Sequence, residues 1–257
     1  MAPALFDTNP VRVQARDRLI VALDVGSVRE AKGIVQELDD TVSFYKIGPH
    51  LLLDPELHDL LRHLKAESKA VFLDLKVFDI PATVEGAVRA AAALGVKFIT
   101  VAGQQPIMEA AVKARGNTTL QILVVTLLTY MTQEDLKREY GSAASLDEFI
   151  LERAKFAADR GCDGVISSAK EVRLIRENIE RKDFLIVTPG IRPDNSSLDD
   201  QKRVVTPYDA IKNGSNYLVI GRPIISRKPR CDAAMAILRE IQQALNDKIA
   251  DNSEGRT

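Results

Sequence analysis

The chain has 257 residues, 46% of them hydrophobic and 28% charged, which fits one large α/β domain or two small ones. Its 35 basic and 36 acidic side chains leave a net charge of −1, which argues against nucleic acid as the main partner. No apolar run approaches the ~20 residues that a membrane helix needs, and the first residues lack the apolar block of a signal peptide. Cys162 and Cys231 cannot form a disulfide framework, and the histidines show no metal-ligand spacing. We therefore expect a cytoplasmic protein with no membrane partner and no structural zinc.

Short β-rich runs alternate with longer amphipathic stretches, which predicts repeated βα units and a parallel sheet. The eight predicted strands are Leu19–Asp24, Val42–Ile47, Ala70–Leu75, Lys97–Val101, Gln121–Thr126, Asp163–Ser167, Phe184–Thr188 and Tyr217–Gly221. Among the helices, Asp54 with Pro55 indicates a start, Pro106 opens Ile107–Arg115, and Thr83–Leu94 ends at Gly95. Eight units in this length are typical of a closed (β/α)8 TIM barrel, whereas an open doubly wound sheet more often has five or six strands.

The domain organisation follows from composition. No linker and no break in composition marks a second domain, so one barrel is predicted over residues 18–250. An N-terminal extension, residues 1–17, and a polar tail, residues 251–257, lack a periodic pattern.

Charged side chains follow the first three predicted strands. Asp24 and Lys46 end the first and second, and the third continues into Asp74, Leu75 and Lys76, with Asp79 three residues later. A period of two points Asp74 and Lys76 to the same side, toward the mouth of a barrel. A single charge at a strand end is usually solvated, but a set of alternating sign on three adjacent strands predicts an active site.

Two glycine-arginine segments follow the last two strands, Thr188–Pro193 and Val219–Pro223. Barrels commonly bind phosphate after strands seven and eight, and the guanidinium groups of Arg192 and Arg222 suit phosphate oxygens. Either segment alone could be ordinary turn chemistry, but the pair favours a phosphate site. The polar stretch Asp194–Val205 between them could close over a ligand or be an idle surface loop. The residues thus predict a barrel enzyme that acts on a small phosphorylated molecule.

From Arg18 to about Ile225 the chain resembles the orotidine 5′-phosphate decarboxylase family. The segments that carry the resemblance are Val21–Asp24, Tyr45–Gly48, Phe72–Val84, Val124–Met131, Val187–Pro193, Asp199–Pro207 and Val219–Pro223. The Asp-Leu-Lys-x-x-Asp-Ile-Pro run, followed in order by GIRP, DQ and GRP, is a highly specific combination. The resemblance implies conversion of orotidine 5′-monophosphate to uridine 5′-monophosphate and CO2 in de novo pyrimidine biosynthesis, with neither a metal nor a cofactor.

The resemblance also implies a role for each matching residue. Lys76 would protonate the pyrimidine C6, Asp74 would lie against the substrate carboxylate, and Lys46 would orient both, with Asp79 completing the charged row. The implied substrate contacts are Asp24 with Lys46 on the ribose, Thr129 on the base, Gln201 between base and phosphate, and Arg192, Gly221 and Arg222 on the phosphate.

A homodimer with shared sites is a further implication, because Asp79, Ile80 and Thr83 would reach the neighbouring subunit's site. The chain departs from many bacterial members at two positions, where Phe78 replaces a histidine and Ala82 an asparagine. Val101–Gly103 also replaces a segment that often contains histidine.

Two alternatives stay open at this point. A magnesium-dependent decarboxylase or aldolase of sugar phosphates would share the Asp-x-Lys-x-x-Asp signature. A non-catalytic nucleotide-binding protein would keep the pocket without the reaction, although all four charged residues of the row are present here.

Overall fold

Eight parallel strands close into a barrel in the computed structural model, which describes residues 15–193 and 205–254. The strands are β1 Leu19–Ala22, β2 Phe44–Ile47, β3 Ala70–Val77, β4 Phe98–Ala102, β5 Gln121–Val125, β6 Gly164–Ile166, β7 Leu185–Pro189 and β8 Tyr217–Ile220. They follow one another around the barrel in chain order, and β8 pairs with β1. The predicted (β/α)8 barrel is confirmed, and each predicted strand overlaps its observed counterpart.

Helices cover the outside of the barrel. They are α1 Val28–Leu38, α2 Pro49–Leu52, α3 Leu57–Ala66, α4 Pro81–Leu94, α5 Gln105–Arg115, α6 Gln133–Tyr140, α7 Leu146–Asp159, α8 Val172–Asn178, α9 Pro207–Lys212, α10 Arg222–Ile225 and α11 Arg230–Glu254. As predicted, α4 stops at Gly95, which adopts the left-handed conformation with a φ of 71° that glycine tolerates best.

One predicted helix start is wrong. Asp54 and Pro55 do not open a helix, and α3 begins only at Leu57. The Asp54 carboxylate instead accepts the backbone N–H groups of Val28, at 2.8 Å, and Glu56, at 2.9 Å. Asp54 therefore holds a turn against the first residue of α1.

Two apolar layers hold the barrel together. One fills the space between strands and helices, and the other fills the barrel interior, where alternate strand residues point inward. Aromatic rings dominate the interior, with the ring centroids of Phe98 5.2 Å from those of both Phe44 and Tyr217. Because these rings fill the middle of the barrel, open space for a ligand is left at the mouth.

The ends of the chain lie partly beyond the described residues, so the predicted division at residues 17/18 and 250/251 stays a prediction. Within residues 15–193 and 205–254, no helix combines the length and apolar character needed to cross a membrane.

Candidate active site

A cavity of about 400 Å³ opens at the carboxyl ends of the strands. Eight of the residues predicted from the sequence line it, namely Asp24, Lys46, Asp74, Lys76, Thr129, Arg192, Gly221 and Arg222. Apolar residues form much of the remaining wall, among them Phe72, Val125, Leu127, Ile166 and Val219. The cavity therefore joins a charged floor to apolar sides, as ligand sites commonly do.

In the structure the charged row is a continuous chain of ion pairs formed by Asp24, Lys46, Asp74 and Lys76, and Asp79 lies outside the cavity that they line. Lys46 Nζ lies 2.9 Å from Asp24 Oδ1 and 3.4 Å from Asp74 Oδ2, and Lys76 Nζ lies 2.7 Å from Asp74 Oδ1. The exposed fraction of the side chain is 10% for Lys46, 15% for Asp74 and 40% for Lys76. Since burial of a single ion is costly, alternation of sign is what allows Lys46 and Asp74 to be buried here. Lys76 is the member of this trio most open to a ligand.

An irregularity in β3 places Asp74 and Lys76 side by side. The pairing of β3 with β4 runs from Leu73 opposite Ile99 directly to Val77 opposite Val101, so three residues of β3 face one residue of β4. Lys76 has a φ of 50°, a left-handed conformation that is uncommon for a residue with a Cβ atom. The two side chains meet as the sequence predicted, but through a bulge rather than through regular strand alternation.

Asp74 stays ionised over the neutral pH range. Burial acts to raise the pKa of its carboxyl, but the charges of Lys46 and Lys76 and hydrogen bonds from Lys76 and Thr100 outweigh burial. The pKa of Asp74 therefore lies below its ordinary value. A fixed negative charge at this point keeps two ammonium groups together in the cavity.

Two neighbouring residues support the row and were missed by the sequence prediction as site residues. Thr100, opposite the bulge, donates a hydrogen bond to Asp74 at 2.9 Å. Gly48 leaves the space that the first ion pair needs, because a Cβ atom there would lie 3.3 Å from both Asp24 Oδ1 and Lys46 Nζ. A threonine inside a strand has the pattern of an ordinary β-branched residue, whereas Gly48, two residues after Lys46, was a visible signal.

The two arginines follow the last two strands, and the second of these, β8, pairs with β1. Arg192 follows β7 and Gly190, whose φ is 78°, and Arg222 is the first residue of α10 after β8. Both line the same cavity as the charged row. The two loops predicted to hold a phosphate thus converge on one space, while Gln201 and most of the stretch Asp194–Val205 lie outside the described residues.

Three predicted residues do not line this cavity. Asp79, Ile80 and Thr83 are exposed on the turn after β3 and at the start of α4, where Asp79 accepts the backbone N–H of Ile80 at 2.7 Å. Phe78 and Ile80, which flank Asp79, are 71% and 67% exposed. These acid and apolar side chains are therefore exposed outside this chain's own cavity.

The described residues include no group of three or more His, Cys, Asp or Glu side chains arranged to hold a metal ion. Both oxygens of Asp74 lie within ion-pair distance of lysines. The arrangement presents ammonium groups, rather than a carboxylate cluster, to a ligand.

Fold and cavity together define a (β/α)8-barrel protein of the enzyme type, with its charged groups where barrel enzymes carry their active sites. Residues 17–237 match the family described as "Orotidine 5'-phosphate decarboxylase / HUMPS family", and the chain belongs to that family.

Named relatives are similar over nearly their whole length. The chain is 46% identical to the orotidine 5'-phosphate decarboxylase of Nitrobacter winogradskyi over 90% of this chain and 95% of that one. It is also 46% identical to that of Methylococcus capsulatus, over 93% and 97%. The crystal structure of orotidine 5'-phosphate decarboxylase from Lactobacillus acidophilus superimposes with a TM-score of 0.77 and 35% identity, covering 88% of this chain and 99% of that one.

Proposed function

We propose that this protein decarboxylates orotidine 5′-monophosphate to uridine 5′-monophosphate and CO2, a step of pyrimidine biosynthesis. The observation that carries the proposal is the Asp24–Lys46–Asp74–Lys76 row in one cavity with Arg192 and Arg222. Similarity to known proteins supports the same reaction, because relatives 46% identical over most of the chain bear the name of this decarboxylase.

The chemistry explains the residue types. When the bond from C6 to the carboxylate breaks, its electron pair stays on C6 in the plane of the ring, where the π system cannot delocalise it. Electrostatic stabilisation must then supply most of the catalysis. The Lys76 ammonium, held 2.7 Å from Asp74 and 40% exposed, is the cation we assign to the developing charge. It then donates one proton to C6 and regains one from solvent.

Asp74 has two roles in this proposal. It anchors the ammonium groups of Lys46 and Lys76, and its lowered pKa keeps it negatively charged beside the substrate carboxylate. Repulsion between the two carboxylates is relieved as neutral CO2 leaves. Asp24 and Lys46, paired at 2.9 Å, are assigned to the ribose hydroxyls.

The rest of the cavity is assigned to binding. Thr129 contacts the base, and Arg192, Gly221 and Arg222 hold the phosphate, while the apolar wall of Val125, Leu127 and Ile166 supports the ring. Binding energy from the phosphate, far from C6, is then available to favour loop closure. Gln201 is assigned to bridge base and phosphate from the loop whose middle lies outside the described residues.

We further propose a homodimer in which each cavity receives Asp79, Ile80 and Thr83 from the partner. The support is that all three are exposed and none lines this chain's own cavity. Leu128 and Phe78 line a smaller cavity of about 200 Å³ that adjoins Lys76 and offers an apolar rim. Association would cover the exposed Phe78.

The compartment proposed is the reducing cytoplasm. Cys162 is a buried free thiol, and burial raises its pKa to about 12, which leaves little reactive thiolate. Small-molecule nucleotides, rather than nucleic acid or a membrane, are the proposed partners, in line with the net charge of −1.

The test is the ultraviolet absorbance of orotidine 5′-monophosphate incubated with purified protein and a chelator. We expect conversion to uridine 5′-monophosphate that Lys76→Ala protein lacks. Turnover of a sugar phosphate only, and only with added magnesium, would favour the aldolase or decarboxylase alternative. Binding of uridine 5′-monophosphate without any turnover would favour the non-catalytic one.

The shared site has its own test. Lys76→Ala and Asp79→Ala chains, each inactive alone, are mixed and allowed to exchange subunits. Each mixed dimer then holds one intact site, so activity returns. Subunit exchange without recovery of activity would overturn the cross-subunit assignment of Asp79.

A further inference from the structure

The hydroxyl of Thr100 lies at the centre of the β3 bulge. Thr100 is fully buried on β4, and its Oγ1 donates to Asp74 Oδ1 at 2.9 Å. The same oxygen accepts the backbone N–H of Lys76 at 2.9 Å. One side chain therefore links the carboxylate of Asp74 to the main chain of Lys76.

Both ends of this link are places where the backbone departs from a regular strand. Three residues of β3 face Thr100 alone, so the main chain of β4 cannot pair with all of them. The N–H of Lys76, at a φ of 50°, finds its acceptor in a side chain instead. A buried N–H without an acceptor would be costly, and so is a left-handed residue with a Cβ atom. The hydroxyl thus stabilises the conformation that points Lys76 into the cavity.

We propose that Thr100 is a positioning residue, which sets the place of the Lys76 ammonium and the charge of Asp74 without touching the substrate. This inference rests on the proposed decarboxylation. The groups that face Asp74 are Lys46 from β2, Lys76 from β3 and Thr100 from β4, with Asp24 beyond Lys46. Among these, Thr100 alone is uncharged and contacts both Asp74 and the Lys76 main chain.

The main test is Thr100→Val, which keeps the shape and removes the hydroxyl. Because Lys76 and Asp74 shift within the site, we expect kcat to fall by about 10- to 100-fold, with little change in the dissociation constant of uridine 5′-monophosphate. The acid limb of kcat/KM should move to higher pH, since Asp74 loses a hydrogen bond that lowers its pKa. Thr100→Ser restores the hydroxyl and should restore both readings.

A matched control is Thr126→Val. Thr126 is also a buried threonine at a strand end, and its Oγ1 donates to the carbonyl of Ile166 at 3.1 Å, outside the charged row. It should lose stability without a change in kcat or in the acid limb. Equal kinetic effects of the two variants, or failure of Thr100→Ser to restore kcat, would overturn the positioning role.

A readout independent of turnover separates this inference from the proposed function. Carbon NMR titration of the Asp74 carboxyl should show a higher pKa in Thr100→Val than in the unchanged protein. If the unchanged protein decarboxylates nothing, the proposed function fails while the titration still measures the link. An unmoved Asp74 titration would contradict the link itself.

A second, independent feature is a cleft at the opposite end of the barrel from the active-site cavity. The cleft, of about 740 Å³, is lined by Arg18 before β1, Arg176 on α8 and Lys248 on α11. Arg181, which forms an ion pair with Asp183 at 3.3 Å, and Lys182 line it as well, and Glu180 is the one carboxylate among the described lining residues.

The three cations Arg18, Arg176 and Lys248 contact neutral oxygens. Arg18 donates to the carbonyl of Asn216 at 3.3 Å, Arg176 Nε to that of Gly214 at 2.9 Å, and Lys248 to that of Ile211 at 3.2 Å. Among the ion pairs of residues 15–193 and 205–254, none joins one of these three cations to a carboxylate. Burial and then the charges of Arg176 and Arg18 lower the pKa of Lys248, so the three cations lie close enough to repel.

We infer that this cleft binds a multiply charged phosphate compound. An anion would relieve the repulsion among the three cations, and guanidinium groups suit phosphate oxygens. Ile179 and Leu245 add apolar walls, so an organic group attached to the phosphates has a surface to contact. The cleft shares none of its lining residues with the upper cavity, and its occupation would leave that cavity open.

Calorimetric titration with inorganic tripolyphosphate, in excess uridine 5′-monophosphate, tests the site. We expect Lys248→Met and Arg18→Gln each to weaken binding by about tenfold or more, and Lys155→Met, an exposed lysine of α7, to leave it unchanged. Decarboxylation without tripolyphosphate should not change in any of them. Circular dichroism shows whether each variant is folded. If either Lys248→Met or Arg18→Gln fails to fold, tripolyphosphate binding by the other variant tests the site. No binding by the unchanged protein, or equal weakening by all three variants, would overturn the inference.

Discussion

The barrel carries lysines at both ends of its interior, and the two ends stabilise them differently. At the mouth, Lys46 and Lys76 lie within 3.4 Å of the carboxylates of Asp24 and Asp74. Toward the lower end, Lys97 Nζ sits 5.0 Å from the ring centroids of Phe44 and Tyr217 and 5.5 Å from that of Phe98. It also donates to the Tyr217 hydroxyl at 3.2 Å.

The difference separates a reactive cation from a structural one. Aromatic faces attract an ammonium group without offering it a second charge or an open path to a ligand. Carboxylates hold an ammonium more strongly and leave an alternating field in an open cavity, where a new anion changes the balance. The upper pairs can thus respond to a substrate, whereas the lower lysine completes the packing of the ring cluster.

Removing one lysine from each end of the barrel should have very different effects on turnover. Lys76→Ala should lower kcat by about 10⁴-fold or more, because it removes the proposed proton donor and the cation assigned to the developing charge. Uridine 5′-monophosphate should still bind measurably. The absorbance assay gives kcat, and calorimetry gives the dissociation constant.

Lys97→Met is the matched control for that experiment, since it removes a half-buried barrel lysine outside the cavity. It should leave kcat nearly unchanged. Near-normal turnover in Lys76→Ala would instead refute the proton-donor assignment.

Arg222 lines the same cavity but is assigned to binding rather than to the chemical step. Arg222→Ala should raise KM for orotidine 5′-monophosphate by about 10- to 100-fold, in keeping with loss of a charge-assisted contact to phosphate. Initial rates over a range of substrate concentrations measure the change. An unchanged KM would count against a phosphate at this end of the cavity.

Sequence reasoning located the parts of the site whose chemistry shows in single residues. Charges at strand ends identified Asp24, Lys46, Asp74 and Lys76, because a polar residue after an apolar run is visible in the sequence. The bulge was not visible, since Asp74, Leu75 and Lys76 also fit regular alternation. Thr100 was not identified as a site residue for the same reason, because its hydroxyl gains its two partners only through the bulge.

In the fold, too, features with a local sequence signal could be predicted and features that depend on distant partners could not. The eight strands could be predicted because each is a short apolar run bounded by turn residues. The start of α3 could not be predicted from the sequence. The Asp54 carboxylate accepts the backbone N–H of Val28, a residue distant in the chain, instead of capping its own helix. Long-range partners of this kind leave no local signal.

The free energy of unfolding should depend on pH through Asp74 but not through Lys97. The pKa of Asp74 is lowered from its ordinary 3.8, so this carboxyl stabilises the fold fully above that pH and loses its contribution as pH falls through the lower folded value. The free energy of unfolding should therefore decrease with acidification below about pH 4. Asp74→Asn should flatten that part of the curve, while Lys97→Met should leave its slope unchanged. Urea unfolding at a series of pH values measures both, and identical slopes in Asp74→Asn and the unchanged protein would contradict the assignment.

The smallest expected effect is the change in the free energy of unfolding caused by Lys97→Met at the lower end of the barrel. Lys97→Met keeps an unbranched apolar stem but loses the ammonium group that faces three rings and the Tyr217 hydroxyl. A cation on aromatic faces contributes about 0.5–2 kcal/mol, depending on how far it is desolvated, so the free energy of unfolding should fall by about 1 kcal/mol at neutral pH. Urea unfolding followed by circular dichroism checks the value. A rise in stability would show that desolvation of Lys97 outweighs its contacts with the rings, and the two ends of the barrel would then differ in more than the kind of partner.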